Sequence, residues 1–346
     1  MHKRWIDGHV HVLDGGTEEL KALAESQRNY GYGASNFLSV EGMGDGAQNA
    51  MAIYFKCLDP AHYAFGGLHY RFEYDFAQEL QELWEIGFDG LKMVENKPTE
   101  RKKLGYAQDD ARYADLYAQA CRLDMPLLIH VNDPRVFWDP EKAPAWAVEA
   151  GYAYVDGSFV SFEQILAEAV HMMEQFPDLR VCFAHMLFLS DDVDYLESLM
   201  ERFPNLHLDI TSGTEMYYNF TADPVRWKAF FQRYHQRILY GTDNCNRTSD
   251  FDRQIGDTIN DLQKRFLTCS ERFPLWDDEI QGFGLEQAHV EDITCGNFCR
   301  FVSSAPRPVD KAKAKAYIRK RLENNQYQLT DRERKIMTEI YDFLDQ

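Results

Sequence analysis

Eight short apolar runs recur along the chain, most of them separated by stretches long and amphipathic enough for a helix. That alternation restricts the fold more than any other feature. The runs are RWIDGHVHV, SNFLSVEG, HYAFGGLHY, FDGLKMV, MPLLIHV, LRVCFAHM, NLHLDIT and RILYGTD. Between them lie TEELKALAESQRNYG, DFAQELQELWEIG, DDARYADLYAQACRLD, SFEQILAEAVHMMEQFP and SDDVDYLESLMERFP, with Gly-Phe, Met-Pro or Phe-Pro steps often marking the helix stop. A strand returning parallel to its predecessor needs a crossover of this length, so the alternation predicts an α/β protein with a parallel sheet. Eight units over about 240 residues predict a closed (β/α)8 TIM barrel, whose site lies at the carboxyl ends of the strands. An open doubly wound sheet would instead place a glycine-rich phosphate turn after the first strand, where HVHVLDGG carries histidines.

The barrel is expected to span residues 1–305, with a long lid after the fifth strand (132–160) and a second interruption, SGTEMYYNFTAD, after the seventh. A C-terminal helical extension, 306–346, reads as two charged helices packed on the barrel or on a partner subunit, so self-association is left open. A net charge of −19 leaves no basic face for nucleic acid, and no apolar run approaches the roughly 18 residues of a membrane span. The expected partner is a small-molecule substrate. The start, MHKRWIDGHVHV, has no signal-peptide pattern, and seven cysteines without paired spacing read as reduced thiols, so a cytoplasmic location is expected.

Residues two apart in a strand share a face, which would place Asp7, His9 and His11 together and Ile6, Val10 and Val12 on the other side. The HxH pair gains meaning from later strand ends: His130 closes LLIH, His185 closes CFAH and Asp243 closes YGTD. His9, His11, His130 and Asp243 make a shell suited to one divalent metal, zinc by preference, with Mn²⁺, Fe²⁺ or Co²⁺ as alternatives. Ionisable groups at four separate strand ends would be costly to bury without a counter-ion.

The order and spacing of IDGHVH, GFDGLKM, LLIH, FAH, YGTD and the closing GNFCRF (Gly296–Phe301) resemble the amidohydrolase superfamily, in its amidohydrolase-related (type 2) branch. That branch includes 2-amino-3-carboxymuconate semialdehyde decarboxylase and various lactone and C–C hydrolases. The resemblance covers residues 1 to about 303. It implies that His9, His11, His130 and Asp243 bind one divalent metal and that Asp243 and His185 are catalytic. His185 would move a proton or orient the attacking water; as an alternative it would ligate a second metal. The implied reaction is hydrolysis of an ester, lactone, amide or activated C–C bond in a small carboxylated substrate. The alternative is non-oxidative decarboxylation or hydration of an aromatic or unsaturated carboxylic acid. The sequences HMLF and GTDNCNR depart from the pattern of many relatives, which have Gly after the sixth-strand His and Pro soon after GTD; the departures bear on the substrate pocket.

Lys92 is expected to meet a substrate carboxylate, to pair locally with Asp89 or Glu95, or to be carbamylated. Arg71, Arg135 and Arg247 follow strand ends, where a guanidinium can clamp a carboxylate. The plainer reading is a solvated or ion-paired arginine. Trp138, Trp146, Tyr217 and Tyr218 are candidates for an aromatic wall, or else fill the lid's own core. Glu41 is a polar residue without an assigned role. A metal nuclease with the same DxHxH start is disfavoured by the acidic charge.

Overall fold

The computed structural model describes residues 5–13, 15–44, 46–211, 213–246 and 249–346. The eight apolar runs form parallel strands in sequential order: β1 (Ile6–Val12), β2 (Ala34–Ser39), β3 (Tyr63–Gly67), β4 (Gly90–Asn96), β5 (Leu127–Val131), β6 (Val181–Phe183), β7 (Leu206–Asp209) and β8 (Ile238–Leu239). The last run is divided. β8 pairs with β7, whereas a following segment, β9 (Asn244–Cys245), pairs with β1. Two backbone bonds bridge the interval, Gly8 N–H donating to Tyr240 O (3.0 Å) and Asp243 N–H to His9 O (2.9 Å), and the sheet closes on itself. The division follows from Asp243, whose φ of +61° leaves the extended region.

The expected helices appear as Thr17–Asn29, Phe76–Ile86, Ala114–Leu123, Phe162–Gln175 and Val193–Arg202. Asp75, Ser161 and Asp192 cap three of them by accepting from the backbone N–H of Gln78, Gln164 and Tyr195. Gly87 ends the first of these three at φ +112°, and a Cβ there would lie 2.2 Å from Pro308 O, so only glycine fits. SGTEMYYNFTAD is mostly helix, Thr214–Ala222, rather than the expected loop, because Met216, Tyr217 and Phe220 bury one face. An antiparallel pair, β10 (Arg272–Leu275) and β11 (Asp278–Gln281), was not legible in the periodicity.

Two apolar layers result. Val10, Val12, Leu91, Met93 and Ile129 belong to the layer between strands and helices, while Ile6, Phe65, Leu128, Cys182 and Leu239 fill the barrel with Phe298 and Phe301. Those two phenylalanines come from the short helix Asn297–Phe301, the GNFCRF segment. The expected alternation in β1 fails at its start. Ile6 lies inside, apart from Val10 and Val12, because pairing with β2 slips between Asp7 and Val10. This bulge turns Asp7 away from the histidines and onto the β8–β9 interval, where it accepts from Thr242 N–H (3.0 Å) and Thr242 Oγ1–H (2.6 Å).

Helices Lys311–Glu323 and Asp331–Phe343 lie against the barrel through buried charge. Arg321, 1% exposed, pairs with Glu41 and with Glu79 (2.6 Å), and Tyr317 O–H also donates to Glu79 (2.7 Å). Glu41 is therefore an anchor for the extension, its pKa pushed up to about 7 by burial against the pull of Arg321. Arg321→Ala leaves two buried carboxylates without their cation. The expected cost is about 3–5 kcal/mol in denaturant unfolding; a loss below about 1 kcal/mol would show that this cluster does not anchor the helices.

Candidate active site

At the carboxyl ends of the strands lies a cavity of about 710 Å³, bordered by His11, His130, His185 and Asp243. His9 Nε2 and His11 Nε2 stand 3.1 Å apart, and Asp243 Oδ1 lies 3.0 Å from His11 Nε2 and 3.5 Å from His9 Nε2. Ligands held tetrahedrally at zinc-like bond lengths sit about 3.3 Å from one another, so the triangle has the dimensions of one cation's coordination face. Its chemistry agrees. His9 Nδ1 donates to Asp209 Oδ2 (2.8 Å), which leaves Nε2 as a lone pair facing a carboxylate oxygen. Two acceptors in that relation need a donor or a cation between them, a place that His11 Nε2–H or a metal ion can fill. Among the described residues this is the one group of His, Cys, Asp or Glu side chains whose ligand atoms converge in this way. Burial, reinforced by the Lys92 charge, lowers the His9 pKa to about 3. Asp243 is held well below the usual carboxylate range, contacts with His11, His9 and His185 outweighing its burial.

His130 does not join the triangle. Its Nε2 is taken by Asn132 O (2.7 Å) and faces Asp133 Oδ1 at 3.3 Å, because Asn132 at φ +67° turns the chain back over the ring. The ring remains at the cavity, 4.9 Å from that of His185. His185 Nδ1 lies 3.2 Å from Thr211 O. His185 opens a run of four left-handed residues, His185 to Phe188, with φ between +52° and +58°. Such a backbone costs roughly 1–2 kcal/mol per residue. Complete burial of Met186 and Leu187, worth about 1.5–3 kcal/mol each, offsets this. So does a bond from His185 N–H to Asp209 Oδ1 (2.8 Å).

Asp209 was not singled out from the sequence, although it ends its apolar run as His130, His185 and Asp243 end theirs. Its partners overcome the effect of burial and keep its pKa well below the ordinary value, His9 and His185 foremost. Lys92 points into the barrel, 1% exposed, and its Nζ has no hydrogen-bond partner. The local pairs considered for it do not form: Asp89 takes Lys56 (2.5 Å) and Glu95 takes Tyr70 O–H (2.6 Å). Burial accordingly lowers its pKa.

The arginines divide. Arg71 borders the cavity, but donates to Tyr327 O (2.5 Å) and Glu333 Oε1 (2.6 Å). Arg135 pairs with Glu163 and Asp191 and does not border the cavity. Arg247 lies outside the described residues. Trp138 donates to Val160 O (3.1 Å) within the lid's small core of Phe137, Ala147 and Tyr154, and Trp146 is exposed there. Tyr217 and Tyr218 bond to Ile210 O and Leu275 O, away from the cavity. The wall is built instead by Tyr152 and Lys97, with Lys97 4.6 Å over the tyrosine ring, and by Thr330, Arg332 and Glu333 of the extension. Asp133 holds Lys97 at 2.6 and 2.8 Å, and Lys97 and His130 together bring its pKa to about 2 despite burial.

An amidohydrolase family model matches residues 6–297. Comparison with curated proteins gives no match. Among solved structures the chain is similar to 4-oxalomesaconate hydratase from Rhodopseudomonas palustris, with 14% identity, 92% of this chain and 100% of that chain covered, and a TM-score of 0.56. It is also similar to an uncharacterized TIM-barrel protein from Bordetella bronchiseptica (14% identity, 90% and 99% covered, TM-score 0.54). A third likeness is to a protein from Pseudomonas putida assigned as a 2-pyrone-4,6-dicarboxylic acid hydrolase (10% identity, 87% and 98% covered, TM-score 0.50). At these identities the likeness is one of fold.

Stripping the protein with a chelator and adding back Zn²⁺ is expected to raise its thermal midpoint, saturating at one equivalent. Free metal at about 100 times Kd adds about 2.7 kcal/mol to stability. An unchanged midpoint would mean that the three atoms do not form a binding site.

Proposed function

The chain belongs to the amidohydrolase family and is an enzyme of that type, and on that premise we propose that its cavity hydrolyses a small carboxylated substrate with the help of one divalent metal. The convergence of His9 Nε2, His11 Nε2 and Asp243 Oδ1 carries the reading. These three residues would hold the ion, zinc by preference for imidazole plus carboxylate, with Mn²⁺, Fe²⁺ or Co²⁺ as the alternatives. When bound, such an ion supplies Lewis-acid polarisation and makes water more acidic.

The remaining work falls to side chains. With Nδ1–H donated to Thr211 O, His185 keeps Nε2 as a lone pair able to take a proton and later return it to the leaving group. Burial, with the neighbouring His130, lowers its pKa to about 4, so the ring is neutral near pH 7 and can act as the base. His130, fixed by Asn132 O, shapes the wall beside it. Lys97, although paired with Asp133, and Arg332 border the cavity as the cations that a substrate carboxylate would meet, while Arg71, bonded to Glu333, holds the wall in place. Lys92 stands below, as a buried amine whose charge is felt by His9.

The same groups would serve a decarboxylase or hydratase, and the names of two fold neighbours, a hydratase and a dicarboxylic acid hydrolase, support a panel of polycarboxylates as the first substrates to try. Ring opening or bond hydrolysis without CO2 release supports hydrolysis; stoichiometric CO2, or addition of water to a double bond, moves the assignment to a lyase. His9→Ala and Asp243→Asn are expected to abolish metal retention and turnover together. His185→Ala should retain one equivalent of metal by elemental analysis and lose about 10²–10⁴-fold in kcat. A fully active His185→Ala enzyme would remove this residue from the mechanism.

A further inference from the structure

We infer that Asp209 is a positioning residue that dictates which nitrogen of His9 carries the proton, and that the same carboxylate holds the turn bearing His185. The inference rests on the reading of His9, His11 and Asp243 as the cation's ligands. Asp209 ends β7, is 2% exposed and does not border the cavity, so it acts through other residues. Its two oxygens have separate tasks. Oδ1 accepts from His185 N–H (2.8 Å) and Thr211 N–H (3.1 Å), while Oδ2 faces His9 Nδ1 at 2.8 Å.

A carboxylate only accepts, so His9 Nδ1 must donate, and in the neutral imidazole Nε2 is then bare where it meets His11 and Asp243. Among the described residues the other hydrogen-bond partner of this nitrogen is Thr211 Oγ1, at 3.1 Å. A hydroxyl either donates or accepts, so Thr211 follows the tautomer and does not choose it. A ligating imidazole needs this arrangement, with its far N–H held by an acceptor.

Oδ1 also starts the left-handed run at His185, whose ring centroid lies 5.7 Å from that of His9. One side chain on β7 thus sets both the polarity of a ligand on β1 and the place of the proton-transfer histidine after β6. The sequence contains the clue, an aspartate closing LHLD, but not the division of labour between its oxygens.

Asparagine at 209 separates this role from mere packing. Two backbone N–H groups demand the amide oxygen at the Oδ1 position, so the NH2 group must occupy the Oδ2 position and donate to His9 Nδ1. The imidazole proton is then driven to Nε2, between the other two ligand atoms. Shape is preserved and one donor is reversed.

The test uses full-length, metal-free protein with ¹⁵N-labelled histidine, the His9 resonances being assigned by their loss in His9→Gln. Wild type is expected to show His9 as the Nδ1–H tautomer and Asp209→Asn as Nε2–H. Titration with Co²⁺, followed by its visible absorption, should show affinity reduced about 10–100-fold in Asp209→Asn. A wild-type His9 protonated at Nε2, or an Asp209→Asn protein that binds Co²⁺ within twofold of wild type, overturns the inference. Should wild type itself fail to bind Co²⁺, the ligand reading falls, and the tautomer measurement on wild type still decides the role of Asp209. That measurement also stands if Asp209→Asn does not fold.

Discussion

The seam between β1 and the divided eighth strand is the contact on which the rest of the molecule depends. There the sheet closes: Gly8 N–H reaches Tyr240 O, and Asp243 N–H reaches His9 O. The same few residues carry the converging ligand atoms, so barrel closure and site assembly are one event. An open sheet would leave His9 and Asp243 at opposite edges. Asp7, turned outward by the bulge, locks the seam from behind through both the backbone and the hydroxyl of Thr242. Gly8 is required at this point because a Cβ would come within 2.8 Å of Tyr240 O and 3.1 Å of the Phe298 ring. The plug that fills the bottom of the barrel and the seam that bears the site are therefore in contact.

Charge around the cavity follows a consistent rule. Asp209 is matched to His9, Asp133 to Lys97, Glu333 to Arg71 and Glu41 to Arg321. Buried ions without partners cost several kcal/mol each, and pairing in advance removes that cost. Two groups at and beside the ligand triangle are arranged otherwise. His9 Nε2, bare of its own proton, faces His11 Nε2 at 3.1 Å and Asp243 Oδ1 at 3.5 Å, and Lys92 Nζ has no hydrogen-bond partner while its charge lowers the pKa of His9. On the proposed reading a cation would answer the first; the second adds to burial in keeping the imidazole neutral, the state in which it can ligate.

Most of the barrel was legible because strand and helix periods are local properties. All eight apolar runs became strands, and the strand-end rule brought His9, His11, His185 and Asp243 to one mouth. Features set by tertiary contacts were not legible. The bulge between Asp7 and Val10, where Gly8 lies against Phe298, reverses Asp7, which strict alternation had placed with the histidines. His130 reaches the right place but is turned aside by Asn132 O, a consequence of one left-handed residue. Arg135 and Trp138 lie in the expected lid, yet their partners come from its far end (Val160 O), from just beyond it (Glu163) and from the segment after β6 (Asp191). Asp209 satisfied the same rule as the residues that were chosen, and a carboxylate that binds through another side chain leaves no distinguishing mark in a single sequence.

The extension shows how a common barrel acquires a particular pocket. The family match ends at residue 297, whereas Thr330, Arg332 and Glu333 border the cavity. They are held there by Arg71, which follows β3, and by Arg321, buried between Glu41 after β2 and Glu79 on the next helix. The proposed ligand atoms come from the shared strands, and the added helices contribute Thr330, Arg332 and Glu333 to a wall that Lys97 and Tyr152 also form. Fold alone does not assign a substrate, and part of the cavity border comes from residues that the family pattern does not cover. Arg71 illustrates the join: a guanidinium placed where it could clamp a substrate carboxylate is committed to Glu333 of the extension, and Arg71, Arg332 and Glu333 border the cavity together.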